Sequence, residues 1–363
     1  MFNSSNKKID LVIASRFLTQ PITGVQRYAI EISKTIKKLN TKYNILFVSP
    51  QNIIHNKIAN ILSVKKIGKF EGHLWDQISL LKFLKSNANP LVVNFSNTLP
   101  VFYKNKVITI HDIIHLKHPV SYSYRKYYEI IFPLMIKYSR HIITVSEFSK
   151  KEISTYFGIS NDKISVVYNG VNEKFKPKKI KSNERYILGV SSIAYHKNFI
   201  SLIEAFLRLK VKNMKLYIVG GLNEKIFGKN SKIILDSLKN NDSIKFLGRV
   251  SDEKLIELYS NAVCFVYSSL YEGFGIPPLE AQACGCPVIL SDIPVFKEIY
   301  SDSAFYFNPL DFDDIATKIA KILYDDNLRT FLISKGFENA KKYTWESSAV
   351  SFLKIIEKVI NND

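Results

Sequence analysis

The sequence predicts an α/β chain built from two doubly wound parallel-sheet domains, and three observations predict it. The chain has 363 residues, too many for one ordinary core and enough for two domains of about 150–200 residues each. Short apolar runs alternate with longer amphipathic segments in both halves, the pattern of parallel βαβ units. A polar, basic stretch, NEKFKPKKIKSNE from Asn172 to Glu184, breaks the alternation near the middle and reads as a linker. Domains are therefore expected at 1–171 and 185–344, joined by 172–184, with a closing amphipathic helix in 345–363.

In the first half, strands are expected at Asp10–Ser15, Tyr43–Val48, Leu91–Phe95, Val107–His111, His141–Val145 and Ile164–Val167. Helices are expected at Val25–Leu39, near Asp76–Leu84, at Tyr122–Tyr138 and at Glu147–Phe157, the last capped by Ser146. In the second half, strands fall at Tyr186–Val190, Lys215–Val219, Ile244–Leu247, Val263–Tyr267, Pro287–Leu290 and Ala304–Phe307. Helices there include Phe199–Leu209, Asp252–Asn261, Leu279–Cys284 and Asp313–Tyr324, with Trp345–Ile360 closing the chain.

Composition excludes several classes. With 46% apolar residues and no low-complexity tract, the chain is globular. Apolar runs such as Ile130–Ile136 fall far short of the roughly 20 residues that span a bilayer. MFNSSNKKIDLVIAS at the start has no small-residue cleavage site, so no signal peptide is expected and the protein should be cytosolic. Three cysteines argue against a disulfide framework; Cys264 lies in a strand, and Cys284 and Cys286 read as small buried residues at a helix end. The net charge of +19 is uneven: residues 1–180 carry 28 basic and 10 acidic side chains, and residues 181–363 carry 23 and 22. Such an excess either serves solubility or marks an anionic partner of the first domain: nucleic acid, a membrane surface or a phosphorylated acceptor.

The segment Tyr271–Pro294, YEGFGIPPLEAQACGCPVILSDIP, sets Glu272 and Glu280 eight positions apart. That spacing alone says little, since Glu338 and Glu346 share it in an ordinary charged region. The setting is different. A strand runs into Gly273-Phe274-Gly275 and Pro277-Pro278, and a helix starts near Leu279. Glycines let backbone N–H groups approach a ligand, and a helix start offers unpaired donors and a positive dipole end. A polyol or a phosphate suits such a turn.

Read whole, the segment resembles the donor-binding signature of retaining GT-B glycosyltransferases of family 4, the group 1 glycosyltransferases. Glu272…Glu280 is followed by Ala281-Gln-Ala283-Cys-Gly285-Cys-Pro287-Val-Ile289, matching E-x7-E and A-x-A-x-G-x-P-V-I. TGVQRYAIEI (from Thr23), ITIHDIIHLKHP (from Ile108), TVSEFSKKEI (from Thr144), VYNGVNEKF (from Val167), HKNFISLIEAF (from His196) and FLGRVSDEKLIELYSNA (from Phe246) also look like family blocks, in family order. The resemblance implies two Rossmann-like domains facing across a cleft, the terminal helix crossing back to the first. It implies transfer of a hexose from a nucleotide sugar, GDP-mannose as first guess. The acceptor would be a glycan or a polyprenyl-diphosphate-linked glycan of bacterial O-antigen, lipopolysaccharide or capsule, with no metal and no cofactor.

By the same resemblance, Lys197 holds the diphosphate, Glu272 the hydroxyls of the transferred sugar and Glu280 the ribose. Carboxylates suit both hydroxyl tasks because each accepts two hydrogen bonds. Gly273, Phe274 and Gly275 supply backbone amides, and Arg249 and Val250 lie where relatives contact the base. Relatives often carry arginine at the positions of Ser192 or His196; this chain does not. Thr23 and Gly24 open a helix whose amides can meet phosphate, with Arg27 a further cation or a solvated side chain. His111, followed by Asp112 at a strand end, is expected to place the donor sugar.

Asp311-Phe-Asp313-Asp314 looks like a D-x-D metal motif but stands before a helix, where acidic residues act as a cap. Tyr122-Ser-Tyr124-Arg125-Lys126-Tyr-Tyr128, with Lys137 and Arg140 beyond, interleaves rings and cations and suits an anionic membrane surface; a packed helix is the other reading. A peripheral position on the inner face of the cytoplasmic membrane follows as an expectation. A nucleic-acid-binding protein is favoured by charge alone and has none of the usual motifs. A nicotinamide enzyme needs a G-x-G-x-x-G turn that is absent. A GT-B epimerase or phosphorylase is the nearest enzymatic rival.

Overall fold

A computed structural model describes residues 8–39, 41–96, 98–119, 121–178, 184–192, 194–221 and 241–361. The chain forms two compact units, Met1–Asn169 together with Trp345–Asp363, and Gly170–Thr344. Each is built on one parallel sheet with helices on both faces, a Rossmann-like arrangement.

The first sheet contains β1 (Leu11–Ala14), β2 (Ile45–Ser49), β3 (Lys65–Lys66), β4 (Leu91–Asn94), β5 (Lys106–Thr109), β6 (His141–Thr144) and β7 (Ile164–Val166), in the order β3-β2-β1-β4-β5-β6-β7. Leu11–Ala14 pairs in register with Ile45–Val48 on one side and Leu91–Asn94 on the other. Alternate strand residues face opposite sides. Val12, Val92, Ile108 and Ile142 pack with Trp75, Leu84, Phe132 and Met135. On the other face, helix Gly24–Lys38 and the closing helix Trp345–Asn361 cover the sheet, with Phe95 meeting Tyr28 at 5.8 Å and Phe352 at 5.3 Å between ring centres. Ser348 Oγ donates to the Tyr168 carbonyl (2.6 Å), which ties the closing helix to this unit.

The second sheet contains β8 (Arg185–Val190), β9 (Met214–Val219), β10 (Ile244–Gly248), β11 (Cys264–Tyr267), β12 (Val288–Ser291) and β13 (Phe305–Phe307), in the order β10-β9-β8-β11-β12-β13. Ile187, Leu216, Val266 and Ile289 share a core with Leu202, Phe206, Ile315 and Ile319 from helices Phe199–Leu209 and Phe312–Tyr324. In both sheets the strand order reverses direction once, between β1 and β4 and between β8 and β11. Open sheets of this kind bind ligands beyond the strand C-termini at that reversal.

Three local features differ from the sequence reading. The helix expected from Leu279 begins at Ile276, with Pro277 and Pro278 inside its first turn. Proline is tolerated there because the first turn has no partner for its N–H groups. The helix expected near Asp76 is a π-helical turn, Trp75–Leu80, running into Leu81–Ser86. Of the expected linker, residues 179–183 lie outside the described residues. Its beginning is docked on the second unit: Phe175 is buried, and the Lys178 N–H donates to Ser260 Oγ at 3.0 Å. All three cysteines are free and buried.

Candidate functional site

Strand β8 ends in the second unit at Val190, and the chain turns through Tyr195–Lys197 into helix Phe199–Leu209. Asn198 makes the corner in the left-handed region (φ +53°), and its side-chain amide donates to the Pro309 carbonyl (2.8 Å). On the other side of the reversal, β11 runs into Ser268–Leu270. Ser268 Oγ donates to the carbonyls of Lys197 and Asn198, both at 3.0 Å, and the Leu270 N–H donates to His196 O at 2.7 Å. These bonds fasten the two turns side by side.

The result is a buried ion pair between Lys197 and Glu272, whose side chains are 12% and 11% exposed. Glu272 Oε1 also accepts from Ser269 Oγ (2.8 Å), and Lys197 Nζ lies 3.4 Å from the Tyr267 hydroxyl and over its ring. Burial alone would lower the Lys197 pKa, but the Glu272 carboxylate outweighs it and raises the ammonium above its ordinary value. Burial likewise pushes Glu272 up, and Lys197, with His196 and the Tyr267 hydrogen bond, brings it below the usual range. Both groups are therefore charged at neutral pH. The family resemblance implies different ligand groups for the two side chains; their direct pairing, 75 residues apart, carried no sequence signal.

Glu280 projects from helix Ile276–Ala283, is 4% exposed, and accepts from the Tyr259 hydroxyl at 3.3 Å. Gly273, Phe274 and Gly275 are buried, and Phe274 packs edge-on against Tyr343. Gly275 stands at φ +94°, and a Cβ there would meet the Phe296 ring at 2.8 Å, so this corner accepts only glycine. The helix start offers fewer donors than expected, since Pro277 and Pro278 carry no N–H. Arg249 and Ser192 are exposed and Val250 is half-buried; the Arg249 side chain lies along Gly221.

In the first unit, His111 follows β5 and is buried, its Nε2–H donating to the Phe95 carbonyl (2.9 Å) and its ring edge-on to Tyr28. Burial lowers its pKa, against the pull of that carbonyl and of Asp112, so the imidazole is neutral. Asp112 Oδ1 accepts the Ile114 N–H (2.8 Å), closing the turn after β5. Thr23 caps helix Gly24–Lys38, but its own N–H donates to Gln26 Oε1 (3.2 Å), so a capping box already occupies the Thr23 amide, one of those expected to meet phosphate. Arg27 is half-buried. Asp311 Oδ1 accepts the N–H groups of Asp313 and Asp314 at 3.0 and 3.1 Å, the geometry of a helix cap. Among the described residues no group of three or more His, Cys, Asp or Glu is placed to hold a metal ion.

On helix Tyr122–Lys137, Arg125 and Lys126 both pair with Glu129, at 2.8 and 2.9 Å, so both cations already have an intramolecular partner. Tyr122 is exposed, Tyr124 stands edge-on to His115, and Lys137 lies over the Tyr138 ring. Arg140 departs from the membrane expectation. Its guanidinium donates to Asn105 Oδ1 (3.0 Å) and to the Val359 carbonyl of the closing helix, a structural bond within the first unit. Among the described residues no helix is long and apolar enough to cross a membrane.

Comparison with known proteins agrees with this architecture. Residues 171–339 match the family model described as Glycosyl transferases group 1, and residues 22–175 match Glycosyltransferase Family 4. A protein of Salmonella typhimurium named O-antigen chain mannosyltransferase RfbU is 37% identical over 71% of this chain and 72% of its own length. One of Escherichia coli named O-antigen chain mannosyltransferase B is 26% identical over 93% of this chain and 96% of its own. Among solved structures, Anabaena HepE in complex with UDP and glucose superposes with a TM-score of 0.79 at 16% identity. The match covers 96% of this chain and all of that one, a likeness of fold.

Proposed function

The chain belongs to the group 1 glycosyl transferases, and on that premise we propose that it transfers a hexose, with mannose the first choice, from a nucleotide sugar to a glycan or polyprenyl-diphosphate-linked acceptor of a bacterial O-antigen or related surface polysaccharide. The observation that carries the reading is the buried Lys197–Glu272 pair at the strand reversal of the second sheet. A diphosphate needs a cation and a sugar needs hydroxyl acceptors; this pair supplies one of each at adjoining positions. In the proposed mechanism Lys197 turns from Glu272 to a phosphate oxygen and stabilises charge growing on the leaving diphosphate, while Glu272 accepts hydroxyls of the transferred sugar. Glu280 takes the ribose hydroxyls, Phe274 and Gly275 offer amides, and Arg249 and Val250 border the base. A retaining, front-face reaction needs no protein base, because the departing diphosphate accepts the acceptor's proton. His111, held neutral, contributes a hydrogen bond to the donor sugar rather than a charge. Chemistry of this kind uses no metal. Tyr124, Arg125, Lys126 and Lys137 are the residues proposed to meet an anionic membrane surface on the cytoplasmic side.

A thermal-shift panel of UDP-, GDP-, dTDP- and ADP-sugars tests the reading. A donor at about 100 times its dissociation constant adds roughly 2.7 kcal/mol of stability, an easily seen shift. Nucleoside diphosphate release that requires added acceptor separates transfer from epimerase or phosphorylase activity. A chain whose melting temperature no nucleotide sugar raises would refute the donor assignment.

A further inference from the structure

The first sheet has its own strand reversal, between β1 and β4, and it too holds a buried charge pair that the donor site does not use. Arg16 lies two residues beyond the end of β1, Thr98 lies on the loop after β4, and Asp76 enters from the π-helical turn Trp75–Leu80. Such turns are rare and recur at functional positions. Arg16 is 8% and Asp76 1% exposed. Thr98 Oγ1 donates to Asp76 Oδ2 at 3.0 Å and receives Arg16 Nη2 at 2.5 Å, while the Asn94 side-chain amide fixes the Thr98 carbonyl.

The set is incompletely satisfied in a specific way. Arg16 Nε lies 3.2 Å from Asp76 Oδ2 at an angle that forms no hydrogen bond, and no described residue donates to Asp76 Oδ1. Asp76 Oδ1 thus stands buried without a hydrogen-bond donor, at a cost of about 1–3 kcal/mol, and Arg16 Nε meets Asp76 as an ion pair but without a hydrogen bond of its own. Between this buried pair and solvent lies His73, its side chain 58% exposed, with Nδ1 3.9 Å from Asp76 Oδ2 and 3.3 Å from the Tyr127 hydroxyl. Burial and the Arg16 charge keep His73 neutral, so it screens the pair without competing for it.

A hydroxyl group donates and accepts at once, and so answers both atoms. A phosphate would suit Arg16 but face the buried Asp76 carboxyl, which is still partly ionised at neutral pH because burial lifts it only to about 7; an ammonium would meet the Arg16 charge. We propose that Arg16, Asp76 and Thr98 bind a hydroxyl of the acceptor glycan, at the strand reversal of the first sheet, beside the exposed His73. The assignment rests on the transferase reading for the identity of the glycan, and on those two atoms for its chemistry.

The test is saturation-transfer NMR on the full chain, without nucleotide, using methyl α-mannopyranoside, methyl α-rhamnopyranoside and methyl α-galactopyranoside, with inorganic phosphate as competitor. At least one glycoside should receive saturation, Asp76→Asn and Arg16→Lys should each reduce it about tenfold or more, and phosphate should not displace it. If Asp76→Asn does not fold, Thr98→Val removes the hydroxyl that holds Asp76 and gives the same readout. Transfer unchanged in folded variants, no transfer to any glycoside, or displacement by phosphate overturns the assignment. In parallel, the nucleotide-sugar thermal shift should survive in Asp76→Asn; its loss while glycoside binding persists gives the hydroxyl to the donor and also overturns it. Glycoside binding by a chain that no nucleotide sugar stabilises would instead defeat the transferase reading and leave this site standing.

Discussion

Glu272→Gln should divide binding from turnover, because the side chain proposed to serve the sugar also masks the charge proposed to serve the phosphate. Without ligand, Glu272 neutralises Lys197 inside a site where each side chain is little more than a tenth exposed. A diphosphate bound to Lys197 would sit about 6 Å from the carboxylate, and two unit charges at that distance repel by about 3 kcal/mol at an effective dielectric of 20. Partial rearrangement of the glutamate would leave about half, so the glutamine variant should bind bare UDP or GDP about tenfold more tightly than the parent. Lys197→Met should weaken that binding by a similar or larger factor. Transfer should nevertheless fall about two to three orders of magnitude in Glu272→Gln, since the charged acceptor for the sugar hydroxyls is gone. Calorimetric titration with UDP and GDP, beside acceptor-dependent release of diphosphate, reads both quantities. Glu338→Gln, at an exposed position paired with Lys335, is the control. Diphosphate affinity that does not rise in Glu272→Gln, together with parental turnover, would refute the shared-pair reasoning.

Replacing Arg125, Lys126 and Lys137 with glutamine should weaken sedimentation with anionic vesicles, each cation contributing about 1 kcal/mol at most and less in 0.5 M salt. Arg140→Gln should lower the melting temperature instead, because its guanidinium holds the closing helix; equal vesicle losses in the two variants would contradict this division. Turnover should survive EDTA, and a loss restored by magnesium or manganese would return Asp311 and Asp313 to consideration as ligands. Burial raises the Asp76 carboxyl from 3.8 to about 7, against the pull of Arg16 and Thr98, so the folded state holds this proton more tightly than the unfolded chain. Its share of stability is complete below about pH 4 and is lost as pH rises through about 7. Asp76→Asn should therefore flatten the fall in melting temperature between pH 5 and 8, and a variant that falls as steeply as the parent would disprove the shift.

The framework was legible where local signals agree with the fold. Helix Glu147–Phe157 has the ends read from sequence because Ser146 caps it and Gly158 ends it in the left-handed region; Ser251 does the same service for Asp252–Asn261. Strand β3 was not legible: two exposed lysines at a sheet edge carry no apolar pattern. The π-helical turn at Trp75 has the same residue types as an α-helix and differs only in how tertiary packing lets it wind. The Tyr271–Pro294 segment was visible because its glycines, prolines and acids lie together in the chain. Arg16, Asp76 and Thr98 are spread over 82 residues, and only the strand order brings them together. The Lys197–Glu272 bond was hidden for the same reason, although each residue was singled out alone.

The path of the chain also sets the order in which a newly made molecule can become complete. Everything in Gly170–Thr344 is contiguous, so that unit can finish folding while the last residues are still being added. The earlier-made unit cannot. Phe95 and Tyr28, laid down in the first hundred residues, stay uncovered on one side of their sheet until Trp345 and Phe352 arrive. Synthesis at about 5–20 residues per second leaves that apolar face open for some 10–50 seconds after it forms. A chain interrupted near its end would release a finished second unit carrying an unfinished first one, so premature termination here favours aggregation over partial activity.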